Sequence, residues 1–356
     1  MHSLYPLLVA LMVNAGEAPA HGHSGAHMVT PPSPAEPEAM IPSLARATTW
    51  LNSPPIGAEA LRGKVVLIDF WTYTCINWRR TVPWLRAWVQ RYGGSGLLLI
   101  GVHSPEFAFE HDLDNVRQAV KEMGIGYPVP VDNDFAIWRA FGNEFWPALY
   151  IFDSKGRIRH TVFGEDGYEE ADQVIRKLLA EAGQTKVDPR PTVVDGKGFE
   201  KAADWKDLRS GENYLGLRRT ENFASPGGIQ PGVARAYTVP PRLDLNSWAV
   251  SGTWTISSDR AVVGAAGGRI AYRFHARDVN LVMAPETRGK EIRFRVLLDG
   301  KPPGAAHGVD VDQDGQGTLG EQRMYQLIRQ PGPIADHLFE IEFLAPGAGA
   351  FSFTFG

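Results

Sequence analysis

Cysteine is almost missing from this chain, which has one in 356 residues. A single sulfur excludes an intramolecular disulfide and a zinc site built from several cysteines. Any thiol chemistry must therefore run through one atom. An excess of charge of either sign is missing too. Lys and Arg total 36 against 40 Asp and Glu, a net charge of −4 with histidines neutral. That balance gives no electrostatic basis for nucleic acid or an anionic membrane as the main partner. No repeat of solenoid period is present. What remains is ordinary globular composition, 44% apolar and 21% charged, at a length that suits about two to three domains.

Residues 4–13 (LYPLLVALMV) are uninterruptedly apolar, but too short for the roughly 20 residues of a bilayer span. Small residues follow, and Ala18-Pro-Ala20 has the form of a cleavage site, although no Lys or Arg precedes the run. Residues 1–20 thus read as a signal-peptide-type leader, which places the protein outside the cytoplasm, periplasmic or secreted. Residues 21–46 carry His21, His23 and His27 and then a Pro-rich stretch. They read as an extended, unpacked linker whose histidines bind a divalent metal weakly at most.

Residues 47–184 alternate strand-like and helix-like segments. KVVLIDFW (64–71) and GLLLIGV (96–102) are short and nearly all apolar, as in strands buried on both faces. Residues 79–91 read as a helix with Val82, Leu85 and Val89 on one face, and helices are expected over 112–123 and 168–182. Residues 148–152 and 157–163 flank a hairpin turn. This block is α/β. Residues 185–212 read as a polar linker. Residues 213–356 hold short strands between Gly/Pro turns, an all-β sandwich pattern.

Cys75 stands between a buried strand and an amphipathic helix. A helix N-terminus favours the thiolate and so predicts a lowered pKa. Asp69 lies in the strand, where a carboxylate is costly to bury, and proton exchange with the thiol would account for it. Trp146-Pro147 precedes another strand, and a cis proline there would close the sheet opposite the cysteine.

The segments DFWTYTCINWRRTVPWLRAW, GVHSPEFAFE, VDNDFAIWRAFGNEFWPALYIFD and RIRHTVFGEDGY resemble the thioredoxin-like redoxins, most closely the soluble part of the DipZ type. NYLGLRRTENF, YQLIRQPGPIADHLFEIEFL and FSFTFG extend the resemblance through the β block. It implies a thioredoxin fold with Cys75 as attacking sulfur, Asp69 as buried acid and Pro147 as cis-proline beside the substrate. It also implies a protein or small-molecule disulfide or thiol as partner, and a membrane electron donor of CcdA type. No cofactor is required.

The family's C-I-N-C reads Cys75-Ile76-Asn77-Trp78 here. The resolving sulfur, which releases a substrate trapped as a mixed disulfide, is an indole. Three readings follow. Cys75 exchanges as a monothiol resolved by an external thiol. Alternatively it is peroxidatic, since Thr72 three residues earlier has peroxiredoxin spacing, although Ile68 stands where that motif has proline. In the third reading the site is retired and binds a protein or glycan, with Trp78 filling the groove beside Trp146.

In the β block, Asp310, Asp312, Asp314, Gln316 and Glu321 lie on a segment that meets the calcium-loop template, without helical flanks. A Ca2+-binding loop between strands is one expectation and an acidic turn the other. Trp248 and Trp254 suit either a glycan platform or, preferably, core packing.

Overall fold

The computed structural model describes residues 37–356; the leader and the three N-terminal histidines lie outside them. Six strands form the first sheet: β1 (Thr49–Leu51), β2 (Val65–Trp71), β3 (Leu97–His103), β4 (Val129–Val131), β5 (Ala148–Phe152) and β6 (Ile158–Phe163). Their order is β1-β4-β3-β2-β5-β6. β2 runs parallel to β3 and antiparallel to β5, and all seven of its residues are buried. A near-continuous apolar run suits this position, because both faces of the strand are covered.

The helices are α1 (Pro37–Ser43), α2 (Ala58–Leu61), α3 (Ile76–Tyr92), α4 (Leu113–Glu122), α5 (Ala136–Ala140) and α6 (Tyr168–Glu181). On α3, Trp78, Val82, Leu85, Trp88 and Tyr92 form the buried stripe. Val89, expected there, is 36% exposed. Trp88 takes the inner place because its indole N–H and the Tyr92 hydroxyl both donate to Asp172 on α6. The same carboxylate accepts from the Thr192 amide and hydroxyl. The connecting segment 185–212 is thereby strapped along α3, where a short turn, Gly198–Glu200, sets Phe199 under Arg79.

The C-terminal half is one curled sheet of eleven strands. They are β7 (Asn213–Tyr214), β8 (Arg235–Tyr237), β9 (Trp248–Ile256), β10 (Ala261–Val263), β11 (Gly268–His275), β12 (Asp278–Pro285), β13 (Ile292–Leu298), β14 (Gln316–Leu319), β15 (Arg323–Arg329), β16 (Asp336–Phe343) and β17 (Ala348–Phe355). β9 is the corner. Residues 248–251 pair with β11 and residues 254–256 with β10. Gly252 between them has φ +86, and a β-carbon there would meet the Gly268 α-carbon at 3.0 Å, so both conformation and space disfavour a side chain. The two halves then face each other across one core. Tyr272 of β11 meets Phe353 of β17 at 4.9 Å, and Phe339 of β16 meets the same ring at 5.7 Å. That is the expected sandwich, made by folding a single sheet.

The two domains share apolar packing. Phe107 and Phe109 approach Phe351 edge-on at 5.2 and 5.1 Å, and Tyr214, Val282 and Met324 join the core of the first domain. Arg80 on α3, with 3% of its side chain exposed, binds Glu165 at 3.0 Å and the Phe355 carbonyl at 3.0 Å.

The linker expected to run unpacked to residue 46 ends earlier. Residues 37–46 are helical, and Met40 and Leu44 are each 1% exposed within the first core. Their spacing of four puts both on one helix face, and that burial outweighs the proline content. Leu44→Ala is expected to cost about 2–4 kcal/mol in urea unfolding. A change within about 0.5 kcal/mol, the usual surface effect, would mark the segment as a passive tail.

Candidate functional site

The chain leaves β2 at Trp71, turns through residues 72–74 and enters α3 with Cys75 as N-cap (φ −77, ψ 114). Its thiol donates to the Trp146 carbonyl at 3.7 Å, and the Trp146–Pro147 peptide is cis. Cys75, Trp146 and Pro147 thus come together as expected. Trp146 is itself held by its indole N–H on the Ser104 carbonyl and by contact with Trp138. Thr72 is fully buried, with its carbonyl accepting the Cys75 amide.

The ionisation of the thiol runs opposite to the expectation. Burial pushes the Cys75 pKa well above its ordinary value, the Trp78 backbone N–H opposes this, and Glu212, Glu106 and Glu165 add to the rise. Desolvation outweighs the helix terminus. The residue keeps 9% of its surface exposed.

Trp78 does not cap the sulfur. Its indole turns inward, where its N–H donates to Asp69 Oδ2 at 2.8 Å. The ring stacks on Trp71 at 4.3 Å with 22° between planes. Asp69, Trp71 and Trp78 are all fully buried. Asp69 was expected to serve the thiol, but its hydrogen bond goes to the indole, and the other carboxylate oxygen has no hydrogen-bond partner among the described residues. Burial raises its pKa from 3.8 to about 7, with the indole bond pulling the other way.

Two residues escaped the sequence reasoning. Glu110 is fully buried and accepts four hydrogen bonds: from the Thr74 amide and hydroxyl on one oxygen, and from the Glu106 and Phe107 amides on the other. Burial lifts its pKa to about 7. The signal was a glutamate three residues after Phe107, where a capping side chain reaches back. His103, also fully buried, lies edge-on to Trp71 at 4.8 Å, and burial holds its pKa down to about 3. A polar residue at the end of an apolar strand was its only mark.

Comparison with known proteins fits this geometry. Residues 47–161 match the AhpC/TSA family, and residues 210–356 match the thioredoxin-like C-terminal domain. Over 264 residues the chain is 38% identical to Protein DipZ of Mycobacterium bovis and of Mycobacterium tuberculosis, covering 73% of this chain and 36% of each relative. It therefore spans about a third of the length of those proteins. It is 30% identical to the thiol-disulfide oxidoreductase YkuV of Bacillus subtilis over 141 residues, covering 40% of this chain and 95% of that protein. The chain belongs to the thioredoxin-like thiol-disulfide oxidoreductase family. A solution structure of a thioredoxin-like protein in the oxidized form is 32% identical, covering 38% of this chain and 90% of that one, with a TM-score of 0.35.

Elsewhere in this redoxin, the acidic loop is occupied by its own chain. Asp310 accepts from Arg323 and from the Gln326 amide, each at 2.8 Å, and Glu321 accepts from Arg323 and Gln118. Asp312 takes the Gln316 amide, closing a turn that leads into β14, and Asp314 is exposed. The structure does not bring these side chains together as a ligand set. Among the described residues no group of three or more His, Cys, Asp or Glu is placed to hold a metal. Trp248 and Trp254 are fully buried, with their indole N–H groups on Glu221 and Ser251 carbonyls, so neither offers a face to a glycan. Among the described residues no helix is long and apolar enough to cross a membrane.

Between pH 4 and 7 a native Asp69 holds a proton that the unfolded chain has released, so its contribution to stability falls as pH rises through that window. Asp69→Asn keeps an acceptor for the indole and removes this titration. Relative to the parent, it is expected to gain stability from pH 4 to 7, by about 4 kcal/mol in all, and nothing further above. Parallel unfolding curves for the two proteins across that range would contradict the assignment.

Proposed function

We propose that this redoxin exchanges disulfides through Cys75 alone, with an external thiol completing the cycle. The observation that carries this is the placement of the sulfur at the α3 N-cap against Trp146-Pro147, with an indole at the position three residues on. The Cys75 thiolate attacks one sulfur of a substrate disulfide. A mixed disulfide forms, and the other sulfur leaves as a thiolate that takes a proton. No second cysteine can attack that mixed disulfide from within. A thiol from outside must do so, releasing Cys75 and supplying the electrons. A small thiol, or a membrane donor of CcdA type, suits that role. The leader and the similarity to DipZ support a place outside the cytoplasm. The peroxidatic reading has less support, because Ile68 stands where that motif has proline.

A retired, binding-only site is the second reading, favoured by the burial of the thiol and its donation to a carbonyl. Incubation with a small disulfide such as oxidised glutathione separates the two. Exchange predicts a one-to-one adduct at Cys75 that persists until free thiol is added. It should form faster as pH rises, because the neutral thiol is the resting form, and be absent in Cys75→Ser. No adduct even at pH 9 would leave the binding reading. Trp78→Cys is a poor probe, since truncating so large a buried side chain costs about 3–5 kcal/mol and orphans Asp69.

A further inference from the structure

The C-terminal domain has no role in the scheme above, yet it touches the thiol site through one carboxylate. Glu106 Oε1 accepts from the Tyr214 hydroxyl at 2.5 Å and from the Arg219 guanidinium at 2.9 Å. That guanidinium lies 3.4 Å from the centre of the Tyr214 ring. The Glu106 side chain is 5% exposed and that of Arg219 20%, so the ion pair is poorly screened. Tyr214 is in β7 and Arg219 in the segment after it, both in the C-terminal domain. Glu106 is in the loop between β3 and α4 of the first domain.

From Glu106 the connection runs back to the sulfur. Its amide donates to Glu110 Oε2 at 2.6 Å, and Glu110 Oε1 accepts from the hydroxyl and amide of Thr74 at 2.7 and 3.2 Å. Thr74 is the residue before Cys75. A hydrogen-bonded series thus leads from Arg219 and Tyr214 through Glu106 and Glu110 to the thiol loop. Apolar packing runs beside it, since Phe107 and Phe109 are pressed against Phe351 of β17.

We infer that Tyr214 and Arg219 are positioning residues for Cys75: the C-terminal domain fixes the loop that braces the thiol and neutralises the Glu106 carboxylate beside it. The β domain is then part of the reactive unit rather than a separate binding module. The inference takes Cys75 as the reacting group. It is read by alkylation, so it stands or falls apart from whether a disulfide is exchanged.

The charged and titratable groups acting on the sulfur come from several elements. Glu106 is in the β3–α4 loop, Glu165 after β6 is paired with Arg80, and Glu212 precedes β7. Glu110 lies behind Thr74, and Asp69 lies beneath, bonded to Trp78. Arg219→Ala leaves Glu106 negative without its cation, which makes Cys75 harder to ionise. Glu106→Gln removes one of the negative charges acting on the sulfur, leaving Glu212 beside Arg219, and does the reverse. Loosening of the fold cannot produce opposite signs.

The test measures the rate of Cys75 alkylation by iodoacetamide from pH 6 to 10 on the full chain, with circular dichroism to confirm folding. Arg219→Ala is expected to raise the midpoint and slow alkylation at pH 8 by about three- to tenfold, the effect of one unmasked neighbouring charge. Arg219→Lys should restore most of the rate, and Glu106→Gln should lower the midpoint. Tyr214→Phe should slow alkylation without reversing the sign. Midpoints that stay put, or that move the same way in Arg219→Ala and Glu106→Gln, would overturn the inference. If Arg219→Ala does not fold, Glu106→Gln decides, and an unmoved midpoint there overturns it.

Discussion

A carboxylate in the dry centre of the sheet is the constraint around which this site is built. Asp69 belongs to a strand whose every residue is buried, and a lone ionised carboxyl there is strongly disfavoured. The Trp78 indole supplies one donor and a large apolar surface in the same group. Its N–H meets the acid at 2.8 Å while its ring lies on Trp71. Strand β2 and the first turn of α3, which Cys75 caps, are therefore pinned to each other. The group that would finish a dithiol cycle is absent because the side chain three residues after the cysteine serves the core and donates to one oxygen of the acid.

The domain boundary follows a similar logic. Phe351 completes an aromatic cluster begun by Phe107 and Phe109, and Arg80 reaches from the second turn of α3 to the last strand of the β domain. A cation buried to this degree requires its acceptors held in place, and these come from both sides: Glu165 from the first domain and the Phe355 carbonyl from the second. Separating the domains would strand that charge as well as expose the aromatic surface. A shared core, rather than a tethered accessory, is the arrangement these contacts support.

What could be read from the residues and what could not divides along sequence distance. Strand β2 was placed within one residue of its observed start, and the N-terminal position of Cys75 on α3 followed from it, because both depend on local patterning. Trp248 and Trp254 were preferred as core for the same reason. The sign of the thiol ionisation was misread. A helix terminus is visible in sequence, whereas the burial of the sulfur against Trp146 and the charges of Glu106 and Glu212 come from elsewhere in the chain. The acidic loop met a spacing template, but Arg323 and the Gln326 amide, on the following strand, take the first carboxylate. Residues 37–46 looked unpacked by composition, although Met40 and Leu44 carried the periodic signal.

Burial lifts three carboxyls of the thiol's domain to about pKa 7: Asp69, Glu110 and Glu165, the last against the pull of Arg80. Each holds a proton in the native state through a range where the unfolded chain has lost it, so together they favour the folded protein under mildly acid conditions and less so as pH rises. The thiol has the opposite preference, since its reactive form accumulates only at higher pH. Stability and nucleophilicity at this site therefore pull in different directions along the same axis. A site organised for rapid turnover near neutrality would separate them by lowering the thiol's pKa with a cation. Here Arg80 and Arg219 are each paired to a glutamate that itself disfavours the thiolate. Structural pairing takes precedence over activation at this sulfur.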